Sequence, residues 1–206
     1  MKKVINCYTE NNPLINKKLR EVSVEEGMEI ATELFQILNQ RGDGIGLAAN
    51  QVGIDAQVAV VNVREPLVLI NPKIEKVWDE IDYYEGCLSY PNKGIHTKRY
   101  KNIIINTEQE ESGWYFSGAE SSKGKGTWET SAKHDQEQRL LEAVCIQHEI
   151  DHLMGKTIHD RKVDTTVKVE KKIGRNQLVT IKRNDAVKVL KYKKAQKFLN
   201  EGWEIE

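Results

Sequence analysis

The residues with the clearest chemical potential lie at positions 147–152, which contain the pattern His-Glu-x-x-His. Two histidines four residues apart on a helix project from one face, one turn apart. His148 and His152 can therefore bind one metal ion, with Glu149 beside them to transfer a proton. The pattern alone leaves an alternative open, because a short motif arises by chance and a buried histidine is more often a hydrogen-bonded core residue.

A further candidate ligand is Cys87, which lies in Glu-Gly-Cys-Leu-Ser at residues 85–89. A free cysteine is usually a small buried hydrophobic residue. Here it stands between Gly86 and a loop that ends at Pro91, and such an irregular setting suits a metal ligand or a nucleophile.

The third unusual segment is Gly-Ile-Gly-Leu-Ala-Ala-Asn-Gln at residues 44–51. Glycines on both sides of Ile45 allow the backbone to approach a ligand closely or to adopt a positive φ. The segment is not a dinucleotide-binding fingerprint, because it lacks the third glycine and no clear strand precedes it. It forms either a tight turn into a strand or the wall of a cleft into which Gln51 donates a hydrogen bond.

Taken in chain order, these three segments resemble the peptide deformylase family. The family signatures are Gly-x-Gly-Leu-Ala-Ala-x-Gln, Glu-Gly-Cys-Leu-Ser and Gln-His-Glu-x-Asp-His, and every fixed position matches. The resemblance covers residues 1–160. It implies hydrolysis of the N-formyl group of the starting methionine of new polypeptides, with release of formate.

The resemblance assigns Cys87, His148 and His152 as ligands of one divalent metal ion, a set that leaves a fourth tetrahedral position for water. Such an ion lowers the pKa of water from about 15.7 to roughly 7. Glu149 would then accept the proton and pass it to the leaving amine. Members of the family favour Fe²⁺, with Zn²⁺, Ni²⁺ or Co²⁺ also able to occupy the site; ligand spacing does not identify the metal.

The resemblance also implies how the substrate is held. The side chain of Gln51 and the backbone N–H of Leu88 would stabilise the negative charge that develops on the formyl oxygen. Ile45, Gly46 and Gly86 would bind the peptide main chain. The methionine pocket is expected on the central helix, at Leu141, Val144 and Cys145.

Two other functions remain open at this stage. A zinc endopeptidase would use the histidine pair and Glu149 with a third ligand downstream, for which Glu170 is the candidate, but Glu-Gly-Cys-Leu-Ser would have no role. An inactive homologue would keep the scaffold only to bind a metal or the ribosome. Intact Glu149 and Gln51 argue against such a loss of activity.

The elements that must position these residues indicate an α+β fold. Ser23 and Glu26 form a capping box that starts a helix over residues 23–41, and a β-branched run predicts a strand at residues 58–63. The stretch 137–154 is apolar on nearly all sides, which predicts a helix in the centre of the fold. We expect mixed and antiparallel sheets to surround this helix. Asp151, which faces away from the metal stripe, either orients a ligand or forms the ion pair with Arg99 that we favour.

Two segments depart from the family pattern. Residues 108–136 predict a long hairpin inserted into a catalytic domain at 1–160. Residues 161–206 form a basic extension, predicted to be a small β–α module. Its positive charge suits either solvent or an acidic partner such as ribosomal RNA.

Composition limits the remaining possibilities. The 31 basic and 31 acidic residues balance, so the global charge indicates neither a nucleic-acid nor a membrane partner. Three scattered cysteines do not suggest a disulfide framework and favour a reducing compartment. We find no signal peptide and no apolar run long enough to span a bilayer, so we expect a cytoplasmic protein.

Overall fold

The computed structural model describes residues 2–118, 129–163, 178–183, 186–199 and 202–205. Their contacts divide the chain into two compact units, Met1–Val163 and Asp164–Glu206. All strand pairs in the described residues are antiparallel. The two units together give the α+β class that the sequence predicts.

The first helix, α1, spans Val24–Arg41. Its predicted N-cap is confirmed, because the Ser23 hydroxyl accepts a hydrogen bond from the backbone N–H of Glu26 at 3.2 Å. The helix ends at Gly42, whose φ of 70° is the left-handed conformation of a C-cap. One face of α1 is buried against the first sheet, through Gly27, Ala31, Leu34, Ile37 and Leu38.

The first sheet has the order β1-β2-β3, with β1 at Gly46–Ala48, β2 at Val58–Asn62 and β3 at Pro66–Ile70. A 3₁₀ turn at Ala49–Val52 follows β1 directly. The predicted strand at 58–63 is therefore present, and its first four residues are fully buried. Strand β1 contains part of the glycine-rich segment and contacts both α1 and the second helix, which is described below.

The second sheet has the order β4-β5-β6, formed by β4 (Lys73–Cys87), β5 (Tyr90–Thr107) and β6 (Glu110–Ser117). The sequence predicted an irregular setting for Cys87, between Gly86 and a loop that ends at Pro91. Instead, Cys87 is the last residue of the long strand β4, with a register shift between it and Glu85. The glycine between them allows the shift, and so the irregularity lies inside a strand.

The central helix, α2, spans Glu129–Leu153 and starts earlier than the predicted residue 137. The residues of its first turns are polar and show no apolar periodicity, so the sequence pattern did not predict them as part of the helix. The predicted hairpin segment 108–136 therefore contains β6 and the start of α2, and residues 119–128 between them lie outside the described part. The helix ends before Gly155, whose φ is 71°.

The C-terminal half of α2 is enclosed by both sheets, and every residue at positions 142–153 is buried. This burial explains why apolar residues are distributed around nearly all sides of the helix. Its polar side chains must find partners inside the protein, since buried polar groups are costly without them. No helix of the described residues is long and apolar enough to cross a membrane.

The second unit is a small β–α structure with the sheet order β8-β7-β9. It contains β7 (Leu178–Arg183), β8 (Ala186–Lys191), α3 (Tyr192–Leu199) and β9 (Glu204–Ile205). Val179, Ile181 and Ala195 form its core. Residues 184–185, between β7 and β8 in the sequence, lie outside the described residues.

Candidate metal centre

Three buried side chains converge where the end of β4 meets α2. Ligand atoms of Cys87, His148 and His152 all lie within 4.8 Å of one another. The Cys87 Sγ lies 3.2 Å from Nε2 of His152. One thiolate and two imidazoles are a ligand set for a tetrahedral metal ion with one open position. The donor chemistry and spacing of these residues thus fit a divalent metal ion.

A second layer of side chains orients His148. Its Nδ1 lies 3.3 Å from Oε2 of Glu85, a contact that favours a proton on Nδ1 and leaves Nε2 free to bind a metal. Glu85 also accepts hydrogen bonds from Thr97 Oγ1 at 2.7 Å and from Arg99 Nε at 2.9 Å. Burial raises the pKa of Glu85, but the hydrogen bond and charge of His148 and the charge of Arg99 outweigh it and bring the pKa to about 2.

The predicted ion pair of Asp151 is confirmed. Asp151 Oδ2 lies 2.5 Å from Nη1 of Arg99, and Arg161 binds the same carboxylate through Nε at 2.9 Å and Nη2 at 2.6 Å. Arg99 thus joins Asp151 to Glu85, and through it to His148. The ligand helix and the ligand strand are connected by charged hydrogen bonds as well as by apolar packing.

Gln51 lies against the sulfur of the ligand set. Its Oε1 accepts a hydrogen bond from the backbone N–H of Ala48 at 2.8 Å. This fixes the amide so that Nε2 faces Cys87 Sγ at 3.6 Å and Ser89 Oγ at 3.3 Å. The side chain is 1% exposed, so its donor is held in place before any ligand binds.

Glu149 carries a carboxylate oxygen, Oε2, that is buried and has no hydrogen-bond partner among the described residues. Burial is the main reason that its pKa is raised to about 7, against the opposing charge of His148. The carboxylate is close to the backbone of Gly46, where an added Cβ would lie 2.4 Å from Glu149 Oε1. A buried carboxylate without a partner, next to a metal ligand, is suited to accept a proton.

The site opens into a cavity of about 520 Å³. Eleven of the twelve residues that sequence and resemblance assigned to the site line this cavity, and His152 lies behind them against Cys87. The lining members of that set are Ile45, Gly46, Gln51, Gly86, Cys87, Leu88, Leu141, Val144, Cys145, His148 and Glu149. Glu170, the third ligand in the endopeptidase alternative, lies outside the described residues.

Sequence reasoning missed other residues of the cavity lining. Tyr83 and Tyr84 belong to it from β4, and Lys93 and Gly94 from β5. Tyr84 and Lys93 are exposed, so they mark the mouth of the cavity. The tyrosines directly precede the Glu-Gly-Cys-Leu-Ser segment, so extending β4 backwards from Cys87 would have indicated them.

Comparisons with known proteins agree with this geometry. Residues 4–168 match the sequence model of the polypeptide deformylase family. The peptide deformylase of Dictyoglomus thermophilum is 33% identical over 165 residues, which cover 78% of this chain and 94% of that protein. The peptide deformylase of Teredinibacter turnerae is 40% identical over 142 residues, covering 64% of this chain and 69% of that protein.

A solved structure shares the fold. The crystal structure of peptide deformylase from Thermotoga maritima superposes with a TM-score of 0.60 at 26% identity, covering 79% of this chain and 98% of that one. The fold and the thiolate–imidazole site define a metal-dependent hydrolase. Within that class, the chain belongs to the peptide deformylase family and has its activity, which acts on formylated peptides.

Proposed function

We propose that this chain removes the N-formyl group from the N-terminal formyl-methionine of newly made polypeptides and releases formate. The observation that supports this most directly is the unpartnered Oε2 of Glu149 beside Cys87, His148 and His152 in a substrate-sized cavity. A hydrolase needs a proton acceptor at that position, next to the point where water attacks the formyl carbon.

Cys87, His148 and His152 would hold one divalent metal ion, which when bound supplies a Lewis acid and lowers the pKa of the attacking water. Glu149 takes the water proton on its carboxylate and returns it to the amine nitrogen as the C–N bond breaks. Glu85 keeps His148 in the tautomer that presents Nε2. Glu149 lines the same cavity as Cys87 and His148, so both proton transfers would occur beside the ligand residues.

Gln51 Nε2 and the backbone N–H of Leu88 donate hydrogen bonds to the formyl oxygen as it becomes negative. The amide of Gln51 is already oriented by Ala48, so little reorganisation is needed during the reaction. Loss of one such donor typically lowers the rate by about 10²–10³.

The substrate peptide binds with its main chain against Ile45, Gly46 and Gly86. Its methionine side chain enters the apolar part of the cavity, where Leu141, Val144 and Cys145 form the wall. Gly46 is suited to close approach, since a side chain there would collide with Glu149 and Cys145.

The metal in the cell is Fe²⁺ in this proposal, and purified protein carries Zn²⁺, Ni²⁺ or Co²⁺ when iron is lost. A thiolate and two imidazoles accept all of these ions, and an oxidisable thiolate makes the iron form sensitive to air.

The enzyme acts on nascent chains in the cytoplasm, with the basic C-terminal unit as the ribosome-docking element. Its described residues carry the positive side chains Lys182, Arg183, Lys188, Lys191, Lys193, Lys194 and Lys197. Free Cys7, Cys87 and Cys145 suit a reducing compartment. Co-sedimentation with ribosomes of the full chain and of a variant with Lys193 and Lys194 changed to Glu tests this docking, and equal binding by both would contradict it.

The central experiment measures anaerobic formate release from formyl-Met-Ala-Ser together with metal content. We expect Glu149→Gln to keep about one metal ion per chain and to lose activity by about 10²–10⁴. The matched control is Glu142→Gln, a buried carboxylate on the same helix that pairs with Arg64. Metal-loaded wild type that releases no formate, or a fully active Glu149→Gln variant, would refute the proposed chemistry.

A further inference from the structure

An exposed aromatic side chain at the mouth of the cavity packs on two neighbouring residues. Tyr84 is 62% exposed. Its ring nevertheless packs on that of His96, with centroids 5.2 Å apart. The far end of the ring lies across Gly94, where an added Cβ would be 2.4 Å from Tyr84 Cζ. His96 is held in turn by Asp82, whose Oδ1 lies 2.7 Å from Nδ1 of His96.

Tyr84 is close in sequence to Cys87, one of the candidate metal ligands. It lies on β4 two residues before Gly86, and both residues line the cavity that also contains Cys87 and His148. A Cβ added at Gly86 would have no atom within 4 Å. The space beside Gly86 is therefore open, and Tyr84 lines the same cavity as the ligand candidates.

The edge of β4 is also available to a peptide. In the described sheet β4 pairs with β5 alone, so its other edge carries backbone groups without a strand partner among the described residues. An extended peptide that places its first side chain in the inner cavity must continue outward along the mouth. Its next residues then reach the region of Tyr84, Lys93 and Gly94, which line the mouth together.

We propose that Tyr84 is a specificity-determining residue that contacts the second and third residues of the formylated peptide and favours aromatic or large apolar side chains there. This inference rests on the proposed function. An exposed ring that is already immobilised by His96 and Gly94 loses little conformational entropy when a substrate side chain packs on it.

The test compares three amidated peptides, formyl-Met-Ala-Ala, formyl-Met-Phe-Ala and formyl-Met-Ala-Phe. We expect wild type to prefer at least one phenylalanine peptide by about three- to tenfold in kcat/KM, through KM. Tyr84→Ala should reduce that preference to about one, whereas Tyr84→Phe should keep it. Gly94→Ala, which forces the ring to move, should also reduce it.

The matched control is Tyr115→Ala. Tyr115 is 58% exposed on β6 of the same sheet, does not line the cavity and packs on Trp78. Its substitution should leave the preference between peptides unchanged. If Tyr84→Ala changed kcat/KM by the same factor for all three peptides, so that their ratio stayed as in wild type, the inference would be overturned while the deformylation activity would stand. Metal-loaded wild type that hydrolyses none of the three would overturn the proposed function, and this inference with it.

Discussion

Arg99 and Asp151 form an ion pair of 2.5 Å between a strand and the central helix, and their side chains are only 2% and 6% exposed. The same guanidinium binds Glu85, which in turn contacts the metal-ligand candidate His148. Arg99 therefore pairs with two buried carboxylates, and one of them, Asp151, also pairs with Arg161. Removing Arg99 would leave the buried Glu85 without its arginine partner and Asp151 with Arg161 alone.

We expect Arg99→Gln to lower the free energy of unfolding by about 3–5 kcal/mol, because a broken buried pair leaves uncompensated charge. Urea denaturation of the metal-free protein measures this. The control is Lys98→Gln on the same strand, whose surface pair with Glu80 is about half exposed and should contribute no more than about 1 kcal/mol. Equal stability of the two variants would contradict the structural role of the pair.

Glu85 should influence metal binding without being a ligand. In Glu85→Gln the amide no longer provides a charged acceptor for Nδ1 of His148, so the imidazole is less basic and less well oriented. We expect metal affinity to fall by about 10- to 100-fold, measured by competition with a chelator. Glu80→Gln, on the exposed side of the same strand, serves as the comparison and should bind metal like wild type. If Glu85→Gln bound the metal with unchanged affinity, the contact between Glu85 and His148 would not contribute to metal binding.

Asn50 ties the end of the central helix to the N-terminal segment. Its Nδ2 donates to the backbone carbonyl of His152 at 2.7 Å and to that of Leu14 at 3.3 Å. Asn50→Ala would leave a buried carbonyl without its donor, which we expect to cost about 1–3 kcal/mol of stability. Thermal unfolding measures the loss. Asn106→Ala, at an exposed hydrogen bond to Glu75, should change stability far less.

Val144 tests the methionine pocket. It is 2% exposed and lines the cavity from α2. Val144→Trp should fill the pocket and raise KM for formyl-Met-Ala-Ser far more than for formyl-Gly-Ala-Ser, with metal content retained. Equal KM changes for the two peptides would remove Val144 from the pocket.

Glu142 gives a pH dependence of stability. Burial raises its pKa above the usual 4.5, against the opposing effect of Arg64. Protonated Glu142 therefore contributes fully to the stability of the folded protein when the pH is below the pKa that Glu142 has in the unfolded chain. This contribution is lost as the pH rises through the higher pKa that Glu142 has in the folded protein. The stability of wild type relative to Glu142→Gln should therefore fall as the pH rises from below 4.5 towards neutrality. Denaturation of both metal-free proteins across this range measures the difference, and a constant difference would refute the assignment.

The sequence by itself determined what depends on neighbouring residues. The capping of α1 by Ser23 follows from local hydrogen bonding, and the shared face of His148 and His152 follows from helical periodicity. The apolar surroundings of that pair also indicated a buried central helix. Those features needed no distant contact.

Tertiary structure alone decided the rest. It brings Cys87 to 3.2 Å from His152 across 65 residues of chain, and Asp151 to Arg99 across 52. In the structure α2 begins at Glu129, among polar residues that show no periodic pattern in the sequence. The position of Tyr84 at the cavity mouth likewise follows from the tertiary structure. These outcomes depend on strand register and on the packing of the sheets around α2, which local propensity does not encode.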